Sequence, residues 1–229
     1  YVMGGVRVDP ESQESTVPGL YAAGEVASGL HGANRLGGNS LSDLIVFGKR
    51  AGEFAAIRSS ELSQPTLDEN AIREATEKIL APLHRKDGEN PGLVYDDLRE
   101  MMQQKVGIIR TAELLEQSLK DLDDIAERAS SSNPGSNKMY NSGWHQALDL
   151  TNMIDVSRSC ALAALRRTES RGAHTRDDFP VTDSDKWGHT TLVIRMEGGK
   201  VMIEEEDLEQ PPPEVEAKLD RSKKGGEEE

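Results

Sequence analysis

The sequence predicts a mixed architecture. An α/β segment spans residues 1–60, an α-helical three-helix bundle spans residues 95–168, and a small C-terminal β-hairpin with a tail follows. Three observations lead there. A short apolar run, Leu20 to Val26, meets a glycine-rich loop and then a long apolar-periodic stretch, the strand–loop–helix order of an α/β unit. Three stretches with helical spacing follow across short polar links, which favours antiparallel neighbours. Two alternating runs flank Gly198-Gly199, as in a hairpin.

Taken in order, residues 1–15 read as extended chain with a turn at Asp9-Pro10. Leu20 to Val26 reads as a short buried strand. Ser40 is expected to cap a helix running to about Ser59, with Asp43 as a shorter-armed capping box. Leu41, Leu44, Ile45, Gly48, Ala51 and Ala55 mark its apolar face. Residues 61–94 hold linkers and a helix from about Glu69 to Leu80, stopped by Pro82. The three bundle helices are expected over Asp96–Val106, Thr111–Ala129 and Ser142–Arg167. Leu115, Leu119, Leu122 and Ile125 form the apolar face of the second. Leu148, Met153, Val156 and Leu165 are among the apolar positions of the third, and Cys160 is read as a buried small residue. Residues 169–210 hold a dense polar loop, ESRGAHTRDDFP, and a hairpin of Thr190–Met196 with Lys200–Glu204. Residues 211–229 form an acidic tail, expected to be disordered from Ser222 onward.

Composition narrows the function. The formal net charge is −14, with acidic runs at Glu204 to Asp207 and Glu227 to Glu229. That balance argues against nucleic-acid binding, which needs a basic patch. The acidic runs read as solvated chain. A single cysteine excludes an internal disulfide framework and a cysteine-built metal or iron–sulfur site, so no metal site is expected. No apolar run is long enough to span a bilayer.

The chemistry concentrates in Thr16 to Gly48. Glu25 follows a glycine at a strand end, where a carboxylate can accept hydrogen bonds from sugar or ribityl hydroxyls. Gly37, Gly38, Asn39 and Ser40 open a helix. Free amides and the positive end of the helix dipole there can hold an electron-rich oxygen. Arg35 lies between, and a guanidinium can grip a carboxylate through two parallel hydrogen bonds. His31 reads as a structural loop histidine, or as a donor to the same anion or to a ring edge. Asn34 braces the turn.

The combination resembles the flavoprotein subunit of succinate dehydrogenase and fumarate reductase. Thr16 to Glu25, TVPGLYAAGE, is similar to the second FAD fingerprint of that class. His31 to Leu41, HGANRLGGNSL, is the more specific match. Tyr1 to Gly5 resembles the family segment that follows a substrate-binding histidine, and Glu169 to His174 resembles its ESRG-x-H segment. Trp187 and His189 fall where the family often has Trp and His.

The resemblance implies that residues 1–60 are the end of an FAD-binding domain and that the cofactor is FAD. Glu25, Gly37, Gly38, Asn39, Ser40 and Leu41 would bind it, Ser40 and Leu41 through their backbone at the isoalloxazine ring. Arg35 would bind one carboxylate of the dicarboxylate substrate, succinate or fumarate. Arg171, His174 and Arg176, like His31, are read as structural or interface residues, able to lock their loop onto the flavin domain through ion pairs. The family's N-terminal glycine loop, its flavin-carrying histidine and its capping domain have no counterpart in the sequence. The proton-shuttle arginine belongs to that capping domain, so no catalytic residue is assigned here. The polypeptide alone is therefore expected to be inactive. The implied partners are an iron–sulfur subunit and a membrane anchor. The implied location is the cytoplasmic face of the inner or plasma membrane, peripheral through those subunits. Two alternatives stay open: a soluble L-aspartate oxidase-like flavoenzyme, although that branch usually lacks the Gly-Gly pair, and a non-catalytic helical interaction module with a vestigial flavin motif.

Overall fold

The fold is known from a computed structural model, which describes residues 1–198, 200–208, 212, 213 and 215. It is rich in helix, with a few short strands. The helices are α1 (Asn39–Glu61), α2 (Glu69–Leu80), α3 (Pro91–Lys105), α4 (Ala112–Ser131), α5 (Ser142–Arg166) and the single turn α6 (Ser184–Trp187). The strands are β1 (Ile109–Arg110), β2 (Thr175–Arg176), β3 (Thr190–Glu197) and β4 (Lys200–Asp207).

The first 38 residues hold no regular strand. Isolated bridges join Val6 to Ala27, Val8 to Ser15 and Glu14 to Tyr21. The expected buried strand from Leu20 to Val26 is corrected by this. Gly24–Val26 is a 3-10 turn, and Leu20 and Val26 are both more than half exposed. The Asp9 carboxylate accepts the amides of Glu11 and Ser12 and so closes the expected turn.

Helix α1 starts two residues before the start that a Ser40 cap would give, and Ser40 does not cap it. Gly38 is the N-cap, in the left-handed region at φ 82°, and no side chain accepts the first amides. Asp43, read as the capping-box partner, instead turns inward and is 5% exposed. The apolar face is also corrected. Leu41, Leu44 and Ile45 all lie at least half exposed, and Asp43 is the one buried residue of the helix.

The core lies among α3, α4 and α5. Val94, Leu98 and Met101 of α3 meet Leu122, Ile125 and Ala129 of α4 and Leu150 and Ile154 of α5. A second cluster joins Val106, Leu115, Ala161 and Ala164. The buried stripe of α5 runs Ala147, Leu150, Ile154, Ser157, Ala161, Ala164, a spacing of three and four that keeps one face inward. Val156, expected among the packing positions, sits off that stripe and is 58% exposed. Cys160 is beside the stripe and only half-buried. Side-chain caps set the starts: Asn90 accepts from Gly92 with Pro91 following, Thr111 accepts from Leu114, and Asn141 accepts from Trp144. Asn90-Pro91 therefore begins α3 five residues before the expected Asp96.

Strands β1 and β2 form a two-residue parallel pair, too short to leave any periodic signal. Strands β3 and β4 pair antiparallel from Thr190↔Asp207 to Glu197↔Lys200. The acidic run from Glu204 to Asp207 is thus strand, not solvated tail. Glu205 pairs with Arg166 at 2.7 Å and Glu206 with Arg7 at 2.8 Å. Gly199, expected in the turn, and the tail from Ser222 lie outside the described residues.

Candidate active site

Glu25 sits in the 3-10 turn and is exposed. Its Oε1 accepts the Val2 amide at 2.9 Å, which ties the first residues of the chain to the turn. Tyr1 thereby lands against the next loop. Its ring meets His31 edge-to-face at 5.4 Å between centroids and 73° between planes. The Arg35 guanidinium lies over the same ring, 4.8 Å from its centroid. Arg35 Nη1 also donates to the Leu36 carbonyl at 3.2 Å. His31 Nε2 stands 3.4 Å from Asp43 Oδ2, and both side chains are more than nine-tenths buried. Tyr1, His31, Arg35 and Asp43 therefore form one cluster. The sequence singled out two of these for chemistry. Asp43 carried a signal that could have been read, a lone carboxylate within Leu41, Leu44, Ile45, Val46 and Phe47.

Gly37, Gly38 and Asn39 follow directly. The Asn39 amide donates to Leu36 and the Leu41 amide to Gly38, each at 3.2 Å. The Ser40 amide has no acceptor among the described residues. A Cβ built on either Gly37 or Gly38 would meet nothing within 4 Å. The two glycines are not demanded by crowding from the chain itself. Leu41 is 69% exposed, and Ser40 is partly covered. A cavity of about 220 Å³ opens beside the helix start, lined by Leu30, His31, Asn39, Ser42, Asp43, Val46 and Phe47. A larger one of about 720 Å³, between α5 and β4, gathers none of the candidate residues.

The donor set can be tested against the end of FAD that the resemblance implies. Arg35 Nε is a buried nitrogen with no hydrogen-bond partner among the described residues, while His31 Nε2 is turned toward Asp43 at 3.4 Å, short of a well-formed hydrogen bond. Arg35 precedes an open Gly-Gly step and a helix start with a spare amide, while the cavity beside that helix is lined by His31 and not by Arg35, Gly37 or Gly38. With the Arg35 guanidinium and free backbone amides on an open side, the site suits an acceptor-rich flat ring and a carboxylate.

Arg171, His174 and Arg176 lie elsewhere. Their ion pairs close within their own segment rather than reaching the loop of Arg35. Glu169, fully buried, accepts from Arg167 at 2.7 Å, from Arg171 at 2.8 Å and from the Asp183 amide at 2.9 Å. Burial pushes its pKa up, but the bonds from Arg171 and Arg167 outweigh that and hold it below the usual carboxylate range. Arg176, 1% exposed, donates to the carbonyls of Ala164, Leu165 and Arg167 at the end of α5. It also grips Asp178 through two bonds of 2.8 and 2.7 Å. His174 Nδ1 lies 2.7 Å from Arg110 Nη1, and its Nε2 lies 3.3 Å from the Arg167 carbonyl. Arginine can only donate, so Nδ1 accepts and Nε2 carries the proton. Burial, with Arg110, Arg176 and Arg167 nearby, lowers the His174 pKa and keeps the ring neutral.

One contact does join the two regions, and it is backbone. The Ala173 amide donates to the Ala33 carbonyl at 3.0 Å. Gly172, at φ 59°, lies so close to that carbonyl that a Cβ would overlap it. The expected lock by ion pairs is a lock by main chain.

Residues 1–41 match the model of an FAD binding domain, and residues 95–219 match that of the fumarate reductase flavoprotein C-terminal region. The fumarate reductase flavoprotein subunit of Haemophilus influenzae is 35% identical over 210 residues, 89% of this chain and 35% of that protein. The succinate dehydrogenase flavoprotein subunit of Coxiella burnetii is 33% identical over 207 residues, 85% of this chain and 35% of that protein. The Mycobacterium smegmatis Sdh1 complex in the apo form contains a chain that superposes with a TM-score of 0.84 at 45% identity, covering 93% of this chain and 36% of that one. The chain spans about a third of the length of the curated relatives it matches. FAD is the cofactor of the domain to which the first 41 residues belong. With more than half its length matched by the C-terminal model, the chain belongs to the fumarate reductase flavoprotein family.

Proposed function

We propose that this chain is part of an FAD-dependent oxidoreductase that interconverts succinate and fumarate. In this reading Arg35 is the clamp for one carboxylate of the dicarboxylate. The observation that carries it is Arg35 itself: a half-buried guanidinium with an unpartnered Nε, seated on Tyr1 next to the open Gly37-Gly38 step. A carboxylate placed there would receive charge-assisted hydrogen bonds at low water exposure, where such bonds are strongest.

When bound, FAD supplies the hydride acceptor or donor. This chain's residues bind and orient. Gly37, Gly38, Asn39 and the backbone of Ser40 and Leu41 hold the ring end. Glu25 receives a sugar or ribityl hydroxyl. Arg35 fixes and polarises the substrate, while the proton is moved by an arginine outside these residues. The 229 residues alone therefore do not turn over. Electrons pass to an iron–sulfur subunit and on to quinone, and the protein sits on the membrane peripherally through partner and anchor subunits, on the cytoplasmic face. None of the described helices is long and apolar enough to cross a membrane.

The test is Arg35→Lys in the holoenzyme that contains this chain. Flavin content should be unchanged. Succinate or fumarate turnover should fall about 30- to 1,000-fold, corresponding to about 2–4 kcal/mol for one lost bidentate contact in the transition state. Wild-type turnover in that variant removes Arg35 from the substrate site.

A further inference from the structure

We propose that Asp43 and His31 are positioning residues for Arg35 and act on it through the Tyr1 ring. The proposal rests on Arg35 being the carboxylate clamp, and deepens that reading. The contacts form a line. Asp43 Oδ2 faces His31 Nε2 at 3.4 Å. The His31 ring meets the Tyr1 ring edge-to-face. Tyr1 offers its π-system to the Arg35 guanidinium at 4.8 Å. Tyr1 is the central link and is 44% exposed at the surface. Its neighbour Val2 donates its amide to the Glu25 carboxylate, but that bond fixes the backbone of Val2 and not the Tyr1 ring.

Physical reasons make the line more than a set of neighbours. Arginine has four rotatable side-chain bonds, and its only hydrogen bond among the described residues is to the adjoining Leu36 carbonyl. That single bond leaves the plane of the guanidinium undetermined. A bidentate grip on a carboxylate depends on that plane. The ring face supplies the missing restraint and consumes none of the N–H donors in doing so. A buried carboxylate in a largely apolar helix segment carries a desolvation cost, and the polar side chain that faces Asp43 among the described residues is His31, at 3.4 Å. The pair is placed where it can hold the edge of the Tyr1 ring and so fix its face.

The experiment uses the FAD-loaded holoenzyme. Dicarboxylate affinity is read from the flavin absorbance change on titration with malonate, a non-reacting dicarboxylate, beside KM and kcat for succinate. Tyr1→Leu and His31→Ala should each retain flavin and raise Kd and KM about 3- to 10-fold, the scale of a partly exposed cation–π contact. Tyr1→Phe keeps the ring face and should restore wild-type affinity. In an Arg35→Lys background, His31→Ala should add no further loss, because it acts only through the guanidinium. The proposal is overturned if Tyr1→Phe is as damaging as Tyr1→Leu, if His31→Ala loses flavin, or if the double variant shows the full sum of both losses. Impaired Arg35→Lys with unaffected Tyr1→Leu sinks the positioning alone. An unaffected Arg35→Lys sinks the clamp on which it rests.

Discussion

Arg176 shows how single side chains hold the helical part together. Its guanidinium is enclosed at the C-terminal end of α5, where carbonyls and the negative end of the helix dipole favour a cation. Asp178, its partner, accepts the Ala112 amide at 2.8 Å and so sits at the start of α4, where the dipole favours an anion. One ion pair thus closes two helix ends of opposite sign. The bonds from Arg176 hold the Asp178 carboxyl down at about 2, from an ordinary 3.8. A carboxylate whose folded pKa is depressed stabilises the fold above its unfolded pKa and loses that contribution as pH falls through the folded one. The Asp178 contribution is therefore complete above about pH 4 and fades towards pH 2. Asp178→Asn should cost about 2–3 kcal/mol in urea unfolding at pH 7, and the gap from wild type should narrow as pH is lowered from 4 towards 2. A pH-independent gap would show that the carboxylate charge is not what matters.

At the level of elements, the contact that joins the helical part to the candidate site is the Gly172–Ala173 main chain on Ala33. Ala33 lies two residues from both His31 and Arg35. A side chain at 172 would meet two penalties: a left-handed φ of 59° and overlap with the Ala33 carbonyl. Gly172→Ala should therefore displace the loop of Arg35 and raise KM for the dicarboxylate in the holoenzyme. The α3–α5 core should be left intact by far-UV circular dichroism and thermal unfolding. Unchanged KM would mean that the loop is positioned without this latch. The sequence marked both partners, HGANR and ESRGAH, yet their meeting was not legible in it. They stand about 140 residues apart in sequence, and the bond between them is main chain, which carries no side-chain signature. Helix α1 fails as a reading for a different reason. Its apolar spacing at Leu41, Leu44 and Ile45 is real, but those residues are exposed. Periodicity reports that a face is apolar, and only packing decides what covers it.

At the scale of the whole molecule, the residues fall into two unequal situations. Helices α3, α4 and α5 bury a continuous core of their own. The first 60 residues bury little: Ala22, Gln13 and Asp43 are among the few enclosed side chains there. The candidate cofactor surface is built on this thinner part. Mixing the purified 229-residue chain with FAD should therefore give no flavin that survives gel filtration, while circular dichroism shows helix and cooperative unfolding. Stoichiometric retained FAD would mean that residues 1–60 suffice as a binding site. The acidic run of β4 adds a long-range tie, since Glu206 reaches Arg7 across nearly the whole described chain.

By itself the sequence determined what is local. The spacing of Leu115, Leu122 and Ile125 and the Gly-Gly step before α1 are written in adjacent residues, because helix faces and left-handed turns are set within a few positions of one another. It also pointed to a kind of chemistry, through Glu25 and Arg35 ahead of a glycine-rich helix start. Tertiary structure alone decided which of these groups meet. It turned Asp43 inward to His31, laid Arg35 on Tyr1, and spent Arg171 and Arg176 on carboxylates of their own segment. The reason is physical. A titratable side chain chooses its partner by distance and desolvation, and both are properties of the folded chain.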